Sequence, residues 1–295
     1  MRRLLIDVTP VIEALELTTK SVLGGELVGS YKSRFKGRGV EFEGYTDYTE
    51  QDDADLIDWK ASTRSNKLLV KEYIEERNLR ILFLIDCSNS MVYTTARKLK
   101  AEFAGEVAIS LAFLMIKNAD HVGFAMFNDR IVKSKQPEGG FTQYYALIDA
   151  LLSPDNYGGG YNLNNAIKFT FTYTKPRTVV ILLTDFLGPW SDWQDTIKTY
   201  SRKFELLVFM IRDPADFELP KTKSEVVLRD PFSNQRIHLA GKHIRDRYRE
   251  YVKQQEKRLK DFFDGLGIGF LKLDSSKPFA EPIIEFFKMR KATWR

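Results

Sequence analysis

The chain has 295 residues, with 45 Lys and Arg against 40 Asp and Glu (net +5), 43% hydrophobic residues and a single cysteine. At this length folding buries roughly three quarters of the accessible surface, which excludes disorder as a description of the whole, and Cys87 has no partner for an intramolecular disulfide. No apolar run approaches the ~20 residues of a membrane span, and the opening MRRLLIDVTPVIEALEL is cut by Asp7, Glu13 and Glu16 before a signal-peptide core forms, so the expected location is cytoplasmic.

In chain order, Val11, Ile12, Leu15 and Leu17 suit a short amphipathic helix with Thr9 as its N-cap, ended by Gly24, Gly25 and Gly29. Residues 30–78 largely lack helical periodicity. Lys32, Arg34, Lys36 and Arg38 come first, followed by six carboxylates between Asp47 and Asp58. We expect residues 1–78 to form an N-terminal appendage, a short helix plus an extended segment, and residues 79–295 to form the main domain. Arg80–Asp86 (RILFLID) is a continuous apolar run ending in a carboxylate, as in a strand buried on both faces. Residues 96–118 place Leu99, Phe103, Val107, Leu111 and Leu114 along one helical face. Residues 122–127 and 131–134, joined near Asn128-Asp129, read as a hairpin with one strand antiparallel at an edge.

Further on, Phe141–Leu152 and residues 162–173 predict helices separated by the loop glycines 158–160. Residues 178–185 (TVVILLTD) form a second buried run ending in a carboxylate, followed by a helix near 191–202 and a strand over 204–211. Pro214, Pro220 and Pro231 punctuate 213–240, where Val226–Arg229 and Arg236–Leu239 predict a small inserted hairpin. A charged helix over 241–265, a strand over 269–273 and a helix over 282–291 close the chain. The alternation predicts an α/β fold: a doubly wound, mostly parallel sheet with helices on both faces.

The first buried strand ends in Asp86-Cys87-Ser88-Asn89-Ser90 and the second in Thr184-Asp185. In a sheet of order 3-2-1-4-5-6 strands one and four are neighbours, and ligands sit at the carboxyl ends where the order reverses. With the hairpin as strands two and three, residues 178–185 are strand four, and both carboxylates face one crevice. Two acids and two hydroxyls there make an oxygen-only shell suited to Mg²⁺. The alternative is that Ser88, Asn89 and Ser90 cap the following helix while Asp86 and Asp185 are solvated strand ends.

Asp-x-Ser-x-Ser after a first strand, with a later strand ending in Thr-Asp, resembles the metal-ion-dependent adhesion site of von Willebrand factor A domains. Upstream, Arg38-Gly39-Val40-Glu41-Phe42, Tyr45 and Tyr48, Asp52-Asp53, Ile57-Asp58-Trp59-Lys60-Ala61-Ser62 and Leu69-Val70-Lys71-Glu72-Tyr73 are similar to the bacterial and archaeal family filed as domain of unknown function fifty-eight. The likeness runs from about residue 24 to residue 290. It implies a von Willebrand factor A-like fold in which Asp86, Ser88, Ser90 and Asp185 hold Mg²⁺ (or Mn²⁺ or Ca²⁺), an open coordination position filled by a partner's Asp or Glu, and a MoxR-type AAA+ ATPase as partner. One position departs from the family. Where a threonine usually follows the loop glycines, this chain has Tyr161-Asn162-Leu163; a phenol oxygen cannot replace that hydroxyl in place, so either Asn162 or Asn164 compensates or the ion is held more weakly. Tyr161, Asn162, Trp190 and Trp193 are candidates for a partner-facing rim.

Catalysis finds little support. Ser88 stands where a haloacid dehalogenase-type phosphatase needs its second aspartate, and Tyr93 stands where a cysteine phosphatase needs its arginine. No Gly-x-Ser-x-Gly elbow or Walker loop occurs, and Cys87 reads as a small packed residue. The other functional class is nucleic-acid binding through Tyr31, Lys32, Arg34, Phe35, Lys36 and Arg38, which interleave cations and rings. Those cations are also able to pair with the acidic run that follows.

Overall fold

The computed structural model describes residues 36–49, 55, 57–65, 67–74, 78–188, 193–220, 225–239 and 243–293. The helix expected near Val11 and residues 31–35 of the basic aromatic stretch lie outside them.

β1 (Lys36–Asp47) and β2 (Leu69–Ile74) pair antiparallel as a separate two-stranded sheet, with the short helix α1 (Trp59–Ser65) between them. The sequence reads as merely extended here, because the glycines and charges of KGRGVEFEGYTD give a weak strand signal. α1 begins at an N-cap: Asp58 Oδ1 accepts from the amides of Lys60 (3.0 Å) and Ala61 (3.1 Å). Buried Ser62 fastens the helix to β2 by accepting from the Leu69 amide at 2.8 Å.

The main sheet is built from β3 (Arg80–Asp86), β4 (His121–Phe127), β5 (Ile131–Glu138), β6 (Val179–Thr184), β7 (Glu205–Arg212) and, after a small hairpin of β8 (Val226–Arg229) and β9 (Arg236–Leu239), β10 (Gly269–Asp274). Its spatial order is β10-β7-β6-β3-β4-β5, with only β5 antiparallel. Counted along the chain this is the expected 3-2-1-4-5-6 order, a von Willebrand factor A-like arrangement. β5 suits its edge: Lys133, Lys135 and Pro137 discourage further pairing. Pro137 also comes so close to β4 that a Cβ at Gly123 would lie 2.5 Å from its nitrogen.

Among the described residues seven further α-helices follow: α2 (Lys100–Lys117), α3 (Phe141–Leu152), α4 (Leu163–Tyr173), α5 (Trp193–Tyr200), the single turn α6 (Pro214–Phe217), α7 (Ile244–Gly265) and α8 (Ala280–Thr293). β3 alternates between two cores. Ile81, Phe83 and Ile85 meet Phe103 and Val107 of α2, Leu147 of α3 and Phe286 of α8 on one face. Leu82 and Leu84 meet Ile167 of α4, Ile197 of α5 and Phe263 of α7 on the other. Each such side chain contributes about 1.5–3 kcal/mol on burial, which is why the run RILFLID is apolar at both parities. α2 departs from the amphipathic expectation, being buried nearly all round with Lys100, Glu102 and Glu106 inside. No helix among the described residues is long and apolar enough to cross a membrane.

Candidate functional site

β3 and β6 are adjacent and parallel, with Ile85 opposite Leu183, so Asp86 emerges beside Thr184 and one residue short of Asp185. This is the point where the chain turns from building one side of the sheet to building the other. Both aspartates are fully buried (0% exposed). Asp86 Oδ1 accepts from the Ser88 amide (2.9 Å), and its Oδ2 accepts from Thr184 Oγ1 (2.6 Å). Ser88 and Ser90 are buried with their hydroxyl oxygens 3.2 Å apart, Ser88 preceding and Ser90 lying within a short 3-10 turn over Asn89–Val92 rather than in an extended loop. No cationic side chain pairs with Asp86 among the described residues. Burial, and then the charge of Asp185, push its carboxyl up to about 7 against the dipoles that favour ionisation.

Asp185 has the opposite surroundings. Its Oδ2 accepts from Lys100 Nζ at 2.8 Å, and its Oδ1 from the Leu187 amide at 2.9 Å. A left-handed backbone at Phe186 (φ 53°) turns that amide back. Burial alone would raise this carboxyl, but the Lys100 ammonium and the Leu187 amide outweigh it and hold Asp185 below the ordinary value. Lys100 is only 2% exposed and also reaches Asp216 Oδ2 at 3.1 Å. Nearby, Asp213 caps α6 and gathers the Thr94 hydroxyl, the Thr95 amide and hydroxyl, and the Ala215 amide. Arg212, at the end of β7, is 4% exposed, and its Nε has no hydrogen-bond partner.

The glycine loop is laced over the first strand tip. Gly158 N donates to Cys87 O (2.8 Å), Asn89 N to Gly159 O (3.1 Å), and Gly159 N to Asn89 Oδ1 (3.1 Å). Gly159 requires its identity twice over, since φ is +87° and a Cβ would meet Asn128 Nδ2 at 2.8 Å. Tyr161 is half-buried, with its ring against Phe127 and so close to the backbone of Gly188 that a Cβ there would lie 2.0 Å from it. Its hydroxyl thereby arrives 3.5 Å from Thr184 Oγ1, and burial, then the charge of Asp86, raise the phenol well above its ordinary value.

The asparagines that follow are committed elsewhere. Asn162 caps α4 by accepting from the Asn165 amide (2.9 Å), and Asn164 accepts from the Thr196 hydroxyl. Trp193, expected on an exposed rim, is 4% exposed and packs against Phe186 and Phe263, because α5 turns its apolar face to the second core. Trp190 lies outside the described residues. Cys87 is a packed residue whose thiol faces Phe127 O at 3.1 Å, and burial pushes it up.

The profile of the family described as "Protein of unknown function DUF58" matches residues 44–258. The chain belongs to this family. It is 24% identical over 283 residues to Uncharacterized protein Rv1480 of Mycobacterium tuberculosis (strain ATCC 25618 / H37Rv) and, at the same identity, to Uncharacterized protein Mb1516 of Mycobacterium bovis, with 95% of this chain and 89% of each relative covered. Among solved structures it is similar to the conserved hypothetical protein BatB from Bacteroides thetaiotaomicron (15% identity, TM-score 0.48, 73% of this chain and 100% of that one). A second is the von Willebrand factor type A structure from Catenulispora acidiphila (14% identity, TM-score 0.41, 77% and 44%).

In this DUF58 chain the crevice holds oxygen donors from Asp86, Ser88, Ser90, Thr184 and Asp185. No group of three or more His, Cys, Asp or Glu side chains is placed to hold a metal among the described residues. The donor set fits a hard divalent cation by its chemistry, two carboxylates with neighbouring hydroxyl oxygens, but leaves the shell short of protein ligands among the described residues. Sequence reading named Asp86, Ser88, Ser90 and Asp185 and missed Lys100, Asp216 and Arg212. Lys100 did carry a signal: a lysine in the first turn of a helix opposes the helix dipole and needs an anionic partner to be stable inside.

Proposed function

We propose that this protein is a divalent-cation-dependent protein-interaction adaptor. Asp86, Ser88, Ser90 and Asp185 hold Mg²⁺ (or Mn²⁺ or Ca²⁺), directly or through water, and an Asp or Glu of a partner protein fills the position the chain leaves open. The observation that carries the reading is Asp86: a fully buried carboxylate, beside a second one, with hydroxyls next to it and, among the described residues, no positive side chain paired with it. A carboxylate in that setting is costly unless a cation joins it. Two protein carboxylates would leave no anionic surplus, so a partner carboxylate in a desolvated crevice would gain a charge-assisted bond. The loop carrying Tyr161 and Asn162, and the one entered at Asp185, would flank the incoming partner, with Trp193 supporting the second from beneath.

The MoxR-type AAA+ ATPase, acting with this chain in the cytoplasm during assembly or maturation of protein complexes, enters through the family resemblance. The chain has no Walker loop, so nucleotide hydrolysis would be the partner's. Residues 1–78 are proposed as an appendage to the domain formed by 79–295. The test is affinity capture with wild type and Asp86→Ala, in Mg²⁺ and in excess EDTA, followed by mass spectrometry. An AAA+ ATPase recovered by wild type in Mg²⁺ and lost in both other conditions is the expected result. The same proteins recovered equally from all three would sink the reading.

A further inference from the structure

The ammonium of Lys100 bonds Asp185, one of the two carboxylates of the proposed cation site. It projects from the first turn of α2, is 2% exposed, and bonds two carboxylates at once, Asp185 Oδ2 at 2.8 Å and Asp216 Oδ2 at 3.1 Å. Those acids belong to different pieces of the molecule: Asp185 follows β6, while Asp216 sits in α6 beyond β7. Asp86, on the neighbouring strand tip, accepts from the Thr184 hydroxyl and from Ser88, and pairs with no cationic side chain among the described residues. Among the described residues the cation bonded within the crevice is thus Lys100, placed to one side, while Arg212 lies near Asp185 without bonding to it. Lys100 with Asp216 makes a neutral pair, and the two carboxylates then remaining, Asp86 and Asp185, match the charge of one divalent ion.

We propose that Lys100 is a tethered competitor for Asp185, and that a divalent ion enters this site by displacing its ammonium from Asp185 onto Asp216. The proposal rests on the cation-site reading above and adds a determinant of its affinity. The ammonium satisfies Asp185 when no ion is present, which keeps a buried carboxylate from being left bare. The same contact must be surrendered, and a like charge tolerated close by, when the ion arrives. Asp216 is what makes the surrender possible, because a buried ammonium with nowhere to go would be as costly as the bare acid. Lys100 and Asp216 therefore affect ion affinity in opposite directions. A merely structural salt bridge would not separate them, since breaking it from either end would damage the same contact.

The test is Mn²⁺ binding to the full chain, read from the loss of the free-ion paramagnetic resonance signal, in wild type, Lys100→Met, Asp216→Asn and Asp86→Asn. Circular dichroism confirms that each variant is folded. Removing the competing charge in Lys100→Met should tighten Mn²⁺ binding by about tenfold or more, and Asp216→Asn should weaken it by about three- to tenfold. Asp86→Asn should abolish it. Should Lys100→Met fail to fold, the near-isosteric Asp216→Asn decides alone, because Lys100 keeps Asp185 there. Wild-type binding that Asp86→Asn removes, but that is unchanged or weaker in Lys100→Met or unchanged or tighter in Asp216→Asn, overturns the role of Lys100 and leaves the cation site standing. Binding in Lys100→Met but not in wild type supports both. No binding in wild type or in folded Lys100→Met overturns the cation site, and the competitor with it.

Discussion

Asp86 and Asp185 close two neighbouring parallel strands, and neither is reached by solvent, yet their surroundings drive them in opposite directions. Asp86 rests on a hydroxyl and an amide, and burial raises it to about 7. Asp185 has an ammonium at 2.8 Å, which overcomes the same burial and lowers it. Position in the fold therefore does not determine the electrostatics of a strand tip. The largest part of the difference comes from Lys100, delivered by a helix that begins fourteen residues after Asp86. One tip is complete within the chain, and the other lacks a positive charge.

The sharpest way to break this contrast is to remove each acid in EDTA-containing buffer and measure stability by urea unfolding. Asp185→Ala leaves Lys100 buried with one acid fewer and should cost about 3–5 kcal/mol at pH 7. Asp86→Asn removes a carboxyl that burial already disfavours as an anion, and should change stability by no more than about 1 kcal/mol. Equal losses for the two variants would mean that the tips are alike and that Asp86 has a partner of its own.

A smaller effect comes from Asp213, which resembles Asp185 in being held ionised, but by dipoles alone. Burial pulls its carboxyl upward, and the Thr95, Ala215 and Thr94 donors outweigh it, so the folded value lies below the ordinary 3.8. The sign follows from linkage. Its contribution is present above the unfolded value and is lost as pH falls through the folded one. Asp213→Asn should cost about 2 kcal/mol at pH 7, and the gap from wild type should narrow as the pH is taken below about 4. Urea unfolding of both proteins at pH 7 and pH 3 measures it; a gap that widens in acid would contradict the assignment.

Both tips were legible in the sequence because each closes a run whose two faces are buried: RILFLID and TVVILLTD admit no polar residue until the strand leaves the core. The order of the sheet followed from the alternation of elements and the Asn-Asp turn, and the hairpin β8–β9 from its β-prone pairs. What the tips touch was not legible. That Thr184 donates to Asp86 depends on the register of β3 against β6, and a strand read by itself carries no register. The salt bridge from Lys100 spans 85 residues to Asp185 and 116 to Asp216, distances over which periodicity says nothing. Nor was the place of Tyr161 legible: its ring approaches the bare backbone of Gly188 and its hydroxyl lies 3.5 Å from Thr184 Oγ1, contacts that spacing along the chain does not give. Trp193 was read from its neighbourhood in the chain, whereas the face of α5 it occupies set its burial.

Arg212 offers the subtlest test of the contrast, because it is a positive charge close to the lowered tip that does not bond to it. The guanidinium assists Asp185 through space and also acts on the Tyr161 phenol. Its Nε, however, is buried without a partner, so desolvation of the arginine is poorly compensated. If Lys100 alone accounts for the state of Asp185, Arg212 is a net cost. Replacing it with an apolar side chain of similar length, Arg212→Met, should then raise Tm by about 2–6 °C. A fall in Tm would show instead that Asp185 draws on both cations. The asymmetry between the tips would then come from two side chains rather than one, and Lys100→Met would be expected to leave Asp185 partly neutralised and to tighten ion binding less.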